Sequence, residues 1–129
     1  MTRSSSRYPT ELELEILKIL WDGGPFPVRE VRERLAAVRD LAYTSVMTTM
    51  NIMVRKGYLK RTKSGNSFTY RPAVTRERIE RAMLSDLVDR LFEGSPGAAV
   101  LHLLETSDLD ATELKRVRAL LREHGKGEA

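Results

Sequence analysis

Tyr43-Thr44-Ser45-Val46-Met47-Thr48-Thr49-Met50-Asn51-Ile52-Met53-Val54-Arg55-Lys56-Gly57 runs directly into Tyr58-Leu59-Lys60-Arg61-Thr62-Lys63-Ser64-Gly65-Asn66-Ser67-Phe68-Thr69-Tyr70-Arg71-Pro72, and the rest of the chain is organised around this stretch. At about 100° per residue, Thr44, Met47, Thr48, Asn51 and Arg55 share one helical face, and Val46, Thr49, Met50 and Met53 share the other. Threonine, serine and asparagine form helices poorly, so their concentration here asks for a reason beyond helix formation. Gly57 stops the helix. Two alternating runs, joined by a turn at Ser64-Gly65-Asn66, then predict a β-hairpin, and Pro72 ends its second strand.

Upstream, Thr10 and Glu13 form a T-x-x-E capping box in front of Leu14, Ile16, Leu17, Leu20 and Trp21, and Asp22-Gly23-Gly24-Pro25 closes that helix. Val28, Val31 and Leu35 give a second helix, from Pro27 or Val28 to Ala37, an apolar stripe at i, i+3, i+7. Pro27 suits its first turn. Downstream, Thr75 caps a long helix to Phe92, striped by Ile79, Met83, Leu87 and Leu91. Gly94 breaks it, and Ser95 with Pro96 starts a short helix containing Val100, Leu101, Leu103 and Leu104. Asp110 and Glu113 make another capping box, with Leu109 and Leu114 spaced as a hydrophobic staple, for a helix carrying Leu114, Val117, Leu120 and Leu121. No internal repeat or low-complexity segment interrupts this order.

The fold class expected is mainly α with a small β-hairpin wing: a winged helix-turn-helix domain followed by three C-terminal helices. The expected divisions are a flexible tail at 1–8, the winged helix at 9–74, the helical region at 75–124 and a frayed end at 125–129. The C-terminal helices are too few and too short to bury a core of their own. Their apolar surface exceeds one packing face, which implies a partner, and the simplest partner is a second copy of the chain. Leu87, Leu91, Val100, Leu101, Leu104, Leu114, Val117 and Leu121 are the residues expected at that dimer interface. The alternative is that these helices fold back on their own N-terminal domain.

The net charge of the 129 residues is +4, unevenly spread. Between Arg39 and Arg71 there are seven basic residues against Asp40 alone, a net +6, whereas Arg76 to Ala129 carries nine basic and eleven acidic residues, a net −2. A clustered positive segment suits phosphate, although it can also be a solvated face. In winged helices the third helix enters the major groove with its N-terminal residues on base edges. Short hydroxyl side chains allow close backbone approach; they donate and accept, and threonine methyls meet thymine methyls. Tyr43, Thr44, Ser45, Thr48 and Asn51 are accordingly the expected base readers. Arg39, Arg55, Lys56, Lys63, Ser64 and Asn66 are the expected phosphate contacts, with the hairpin tip along the backbone.

The sequence resembles the penicillinase-repressor family of bacterial regulators, the BlaI/MecI/CopY group. The resemblance rests on TELELEILKILW (10–21), VREV (28–31), LAYTSVMTT (41–49), Lys56-Gly57, Tyr70-Arg71-Pro72 and Phe92-Glu93-Gly94-Ser95, and spans about Pro9 to Leu121. It implies a winged-helix domain, a helical dimerisation domain, repression from an operator in double-stranded DNA, and base reading by Tyr43, Thr44, Ser45 and Thr48. Ile52 stands where members often carry arginine, so a phosphate or base contact is missing there, and Pro27 stands where a capping threonine is common. The copper-responsive branch binds metal through C-terminal cysteines; this chain has no cysteine, which rules that mode out and fits a reducing cytoplasm. In the antibiotic-responsive branch a membrane-bound sensor protease leads to cleavage in the first dimerisation helix, and the aligned pair here is His102-Leu103.

Other classes find less support. His102 and His124 lie far apart without ligand or triad spacing, and no phosphate-cradling glycine loop occurs, so neither an enzyme nor a cofactor is expected. No apolar run approaches the roughly 20 residues that span a bilayer, so no membrane insertion is expected. A small-molecule pocket at the dimer interface and a purely protein-binding winged helix are the two alternatives left.

Overall fold

The structure, a computed structural model, describes residues 8–127; the tail expected at 1–8 lies outside the described residues except for Tyr8. It comprises helices α1 (Glu11–Gly23), α2 (Val28–Leu35) and α3 (Tyr43–Lys56), strands β1 (Leu59–Ser64) and β2 (Ser67–Pro72), and helices α4 (Arg76–Leu91), α5 (Pro96–Thr106) and α6 (Ala111–Gly127). Two compact units result, one up to Leu84 and one from Ser85.

In the first unit the capping box of α1 is formed in both directions. Thr10 N–H donates to Glu13 Oε1 (2.9 Å) and Glu13 N–H to Thr10 Oγ1 (3.1 Å), so two of the backbone donors left over at a helix start are satisfied. Pro27 sits at the cap of α2 without a side-chain bond. That helix ends at Leu35 rather than Ala37, where the chain tightens into a turn with Val38 N–H on the Leu35 carbonyl, an i→i−3 bond. Gly57 ends α3 at φ 88°, a left-handed geometry that costs residues with a Cβ roughly 1–2 kcal/mol.

β1 and β2 pair antiparallel from Leu59 opposite Pro72 to Ser64 opposite Ser67. This leaves Gly65-Asn66 as a two-residue turn, with Gly65 at φ 64° as the tight hairpin demands. A third piece of extended chain was not apparent in the sequence. Phe26, between α1 and α2, exchanges both backbone bonds with Tyr70 (3.1 and 2.9 Å) and ties the hairpin to the helices.

The core of this unit is Ile16, Leu17 and Leu20 of α1, Val28, Val31 and Leu35 of α2, Val46, Met50 and Met53 of α3, with Tyr58, Leu59, Tyr70 and Ile79. Burial of each such aliphatic side chain contributes about 1.5–3 kcal/mol. Ile79, with Met83 packed beside it, brings the first turns of α4 into this core. Trp21 Nε1 donates to the Val74 carbonyl (2.9 Å) and holds the chain leaving the hairpin against α1. The unit therefore extends past residue 74, to Leu84.

In the second unit Ser95 accepts from Ala98 N–H to cap α5, and Asp110 and Glu113 form the expected reciprocal box at α6. α6 continues to Gly127, past Gly125, where fraying is expected; residues 128–129 lie outside the described residues. No described residue between Ser85 and Lys126 is buried.

Candidate nucleic-acid interface

The two faces of α3 separate largely as its wheel predicts, except that Met47 and Asn51, on the polar side of the wheel, are half-buried, with Met47 packed against the core. Val46, Met50 and Met53 are fully buried, while Tyr43, Thr44, Ser45, Thr48 and Arg55 are exposed. Thr49 is half-buried and its hydroxyl donates back to the Ser45 carbonyl (3.0 Å), so it stays with its own helix. The approach to α3 is held from α2, where Arg32 Nε donates to the Leu41 carbonyl (2.8 Å) across the turn. The result is a helix whose outward side carries short hydroxyls at its start and a guanidinium near its end.

The hairpin adds positive charge beside it. Lys60 and Arg71 are opposite one another on the two strands, and Lys63 stands next to the tip residues Ser64, Gly65 and Asn66, all exposed. Arg55, Lys60, Lys63 and Arg71 have no carboxylate partner among the described residues. Unpaired cations supply the attraction that phosphate binding uses.

Two of the expected phosphate contacts, Arg39 and Lys56, form ion pairs within the protein. Arg39 pairs with Glu15 and, at 3.5 Å, with Glu11. The hydrogen bond to Glu15 and the attraction of its charge hold the guanidinium even more firmly protonated than usual. Lys56 Nζ lies 2.9 Å from Glu13 Oε2, and Glu13 is only 3% exposed. That carboxylate already accepts from Thr10 N–H, so α1 places a buried anion which Lys56 must neutralise. Spacing alone showed Glu13 as a cap; its burial and its partner 43 residues away became visible only in three dimensions.

Asn51, expected to read bases, has its side-chain oxygen engaged by the hairpin. Its Oδ1 accepts from Tyr70 Oη (2.9 Å) and from Arg61 Nη1 (3.1 Å), so it ties α3 to both strands of the hairpin. Arg61 itself lies over the Phe68 ring, 4.3 Å from its centroid. Arg61, Tyr70 and Phe68 were not among the expected site residues. A tyrosine and an arginine facing each other across a two-residue hairpin is the only signal that could have suggested them.

In the second unit, Leu87, Leu91, Val100, Leu101, Leu104 and Leu121 are exposed and Leu114 and Val117 half-buried. Leu91 keeps 64% of its surface in water and Leu101 61%. His102 and Leu103 are exposed on α5, and the Phe92 and His102 rings lie 6.0 Å apart. The described residues contain no cluster of histidine, aspartate and glutamate able to hold a metal, and no helix long and apolar enough to cross a membrane.

Comparison with known proteins adds the family. The sequence model described as Penicillinase repressor matches residues 9–123. The chain belongs to the penicillinase repressor family. It is similar to the transcriptional regulator BlaI of Mycobacterium tuberculosis, 33% identical over 120 residues that cover 91% of this chain and 86% of that one. It is also similar to the penicillinase repressor of Bacillus licheniformis, 24% identical over 115 residues, 89% and 90% of the two chains. Among solved structures it resembles the monomeric form of Bacillus licheniformis BlaI in complex with the blaP half-operator, at 23% identity and a TM-score of 0.48, over 60% of this chain and 92% of that one. The penicillinase repressor family is one of DNA-binding transcriptional repressors and is not enzymatic.

Proposed function

We propose that this protein represses transcription from the cytoplasm as a homodimer on a pseudo-palindromic operator in double-stranded DNA. In this reading α3 enters the major groove, Tyr43, Thr44, Ser45 and Thr48 meet base edges, and Arg55, Lys63, Ser64 and Asn66 meet the backbone. The observation that carries it is the exposed hydroxyl face at the start of α3, with Thr44, Ser45 and Thr48 open to solvent and no ion-paired acid among them. Lys60 and Arg71, unpaired on the hairpin, join the backbone contacts.

Dimerisation would fall to the leucine-rich surface after Ser85. A chain with no buried residue between Ser85 and Lys126 leaves that surface to be covered from outside. Two copies related by a twofold axis would offer two α3 helices to half-sites about one helical turn apart. Release from the operator would follow cleavage at His102-Leu103, after which the two DNA-binding units are no longer tethered. Both residues are exposed, though they lie inside α5, so a sensor protease would have to unwind that helix.

The test is a comparison of two duplexes: one selected from a random pool by the wild-type protein, and one of mixed sequence. The double substitution Thr44→Ala, Thr48→Ala should weaken the selected duplex by one to two powers of ten, since a good base contact discriminates by about 1–3 kcal/mol. The mixed duplex should change by less than about threefold, because its affinity comes from phosphate charge. Equal losses on the two duplexes would remove base reading from these threonines.

A further inference from the structure

Asn51 is held so that it can only donate. An arginine Nη has no acceptor capacity, so the amide atom 3.1 Å from Arg61 Nη1 must be the carbonyl oxygen, and the same oxygen takes the Tyr70 hydroxyl at 2.9 Å. Both lone-pair directions of Oδ1 are thereby used. The amide cannot turn over without setting its NH2 against a guanidinium. What Asn51 has left for a ligand is two N–H donors and no acceptor.

This bears on its chemistry at the groove. Asparagine reads adenine by accepting from N6 while donating to N7. A residue with an occupied oxygen cannot do so. Beside it, Arg61 is spread over Phe68 and bonded to a neutral amide, with no carboxylate partner among the described residues. Its charge is therefore fixed in place but not neutralised, and its remaining N–H groups are available. Asn51 is one helical turn before Arg55, on the side of α3 that meets the hairpin.

We infer that Asn51 Nδ2 and the Arg61 guanidinium together form a phosphate clamp at the junction of α3 and the hairpin, oriented by the Tyr70 hydroxyl. The clamp takes a non-bridging backbone oxygen, and it makes Asn51 a contact blind to sequence rather than a base reader. Its second role is geometric: the same two bonds set the hairpin relative to α3, so helix and wing meet the backbone at a fixed spacing. Tyr70 is the positioning residue, since it touches Asn51 and not the DNA. The inference rests on duplex DNA being the partner.

The experiment uses the full chain on the selected and the mixed-sequence duplex, together with a set of selected duplexes carrying one neutral methylphosphonate at each backbone position in turn. Asn51→Ala should weaken both unmodified duplexes by the same factor, about fivefold, as expected of a lost phosphate contact. At one phosphate of each half-site the methylphosphonate should weaken the wild type clearly more than it weakens Asn51→Ala. Arg61→Gln, at an exposed position whose loss spares the core, should lose most of its response at those same phosphates and lower the salt slope by about two contacts, one from each protomer. Tyr70→Phe should retain the response with a smaller penalty.

Thermal unfolding of each variant reports whether the fold survives, and Arg61→Gln decides the matter if Asn51→Ala unfolds. A loss confined to the selected duplex would make Asn51 a base contact and overturn the clamp. So would identical methylphosphonate profiles for wild type and both variants. Failure of the wild type to bind either duplex would overturn the DNA reading itself, a result distinct from these.

Discussion

At the scale of single residues, the informative ones are those whose partners are far away in sequence. Glu13 and Lys56 are the clearest case. A buried carboxylate beside one ammonium costs far more to leave alone than to pair. Lys56→Met should destabilise the protein by about 2 kcal/mol, less than a fully buried pair would lose because a quarter of the Lys56 side chain remains in water. Denaturant midpoints measure this. The salt slope of DNA binding should not change, and a reduced slope would return Lys56 to the phosphate contacts. Tyr58 gives a pH prediction. Burial, and then the charge of Glu13, push its phenol above the ordinary tyrosine range. The folded state thus keeps its proton where the unfolded chain has begun to lose it, and stability must fall as pH rises from about 10. Tyr58→Phe should flatten the fall in melting temperature between neutral and strongly alkaline pH; an equally steep fall would clear Tyr58 of responsibility.

At the scale of elements, α3 shows how a helix can be stable and exposed together. Val46, Met50 and Met53 anchor it, which leaves the opposite face without a packing duty and open to residues chosen for chemistry. Its end depends on one backbone geometry. No atom would touch a Cβ at Gly57, so Gly57→Ala costs only the left-handed φ of 88°, roughly 1 kcal/mol by thermal or chemical unfolding. A neutral result would mean that the chain after α3 can leave by another route. The hairpin is a weak element alone, since two strands are marginally stable in water. The Phe26 bridge, the Asn51 bonds and the burial of Leu59 and Tyr70 supply what its own ladder lacks.

At the scale of the molecule, the net positive charge and the exposed leucines occupy different units. Arg55, Lys60, Lys63 and Arg71 lie in the first, and the exposed leucines are concentrated after Ser85. Five cations from each of two protomers, these four and Arg61, each meeting one phosphate, would make the logarithm of the association constant fall with the logarithm of salt concentration at a slope of about −9. A gel-shift or anisotropy series across salt concentrations gives that slope directly, and a flat dependence would remove the phosphate contacts. Leu101→Asp with Leu104→Asp should convert a sedimenting dimer into a monomer. Operator affinity should fall at least tenfold as the second half-site contact is lost, while the melting of the first unit stays unchanged. A dimer that survives both charges would place the interface elsewhere.

The order of elements, the capping boxes at Thr10 and Asp110, the two faces of α3 and the two-residue hairpin could all be read from the linear chain. Each depends on side chains within a few residues of one another, where helical and strand periodicity dictates which face is apolar. What folding alone decided is which charges are already spent. Arg39 and Lys56 look as available as Arg55 in the sequence, but α1 brings Glu15 and Glu13 to them and leaves Arg55 without a partner. Asn51 looks like any polar residue on an open face until β1 and β2 place Arg61 and Tyr70 on its oxygen. Electrostatic and hydrogen-bond partners are set by distance in space, and between residues 10 to 43 positions apart no local pattern carries that distance.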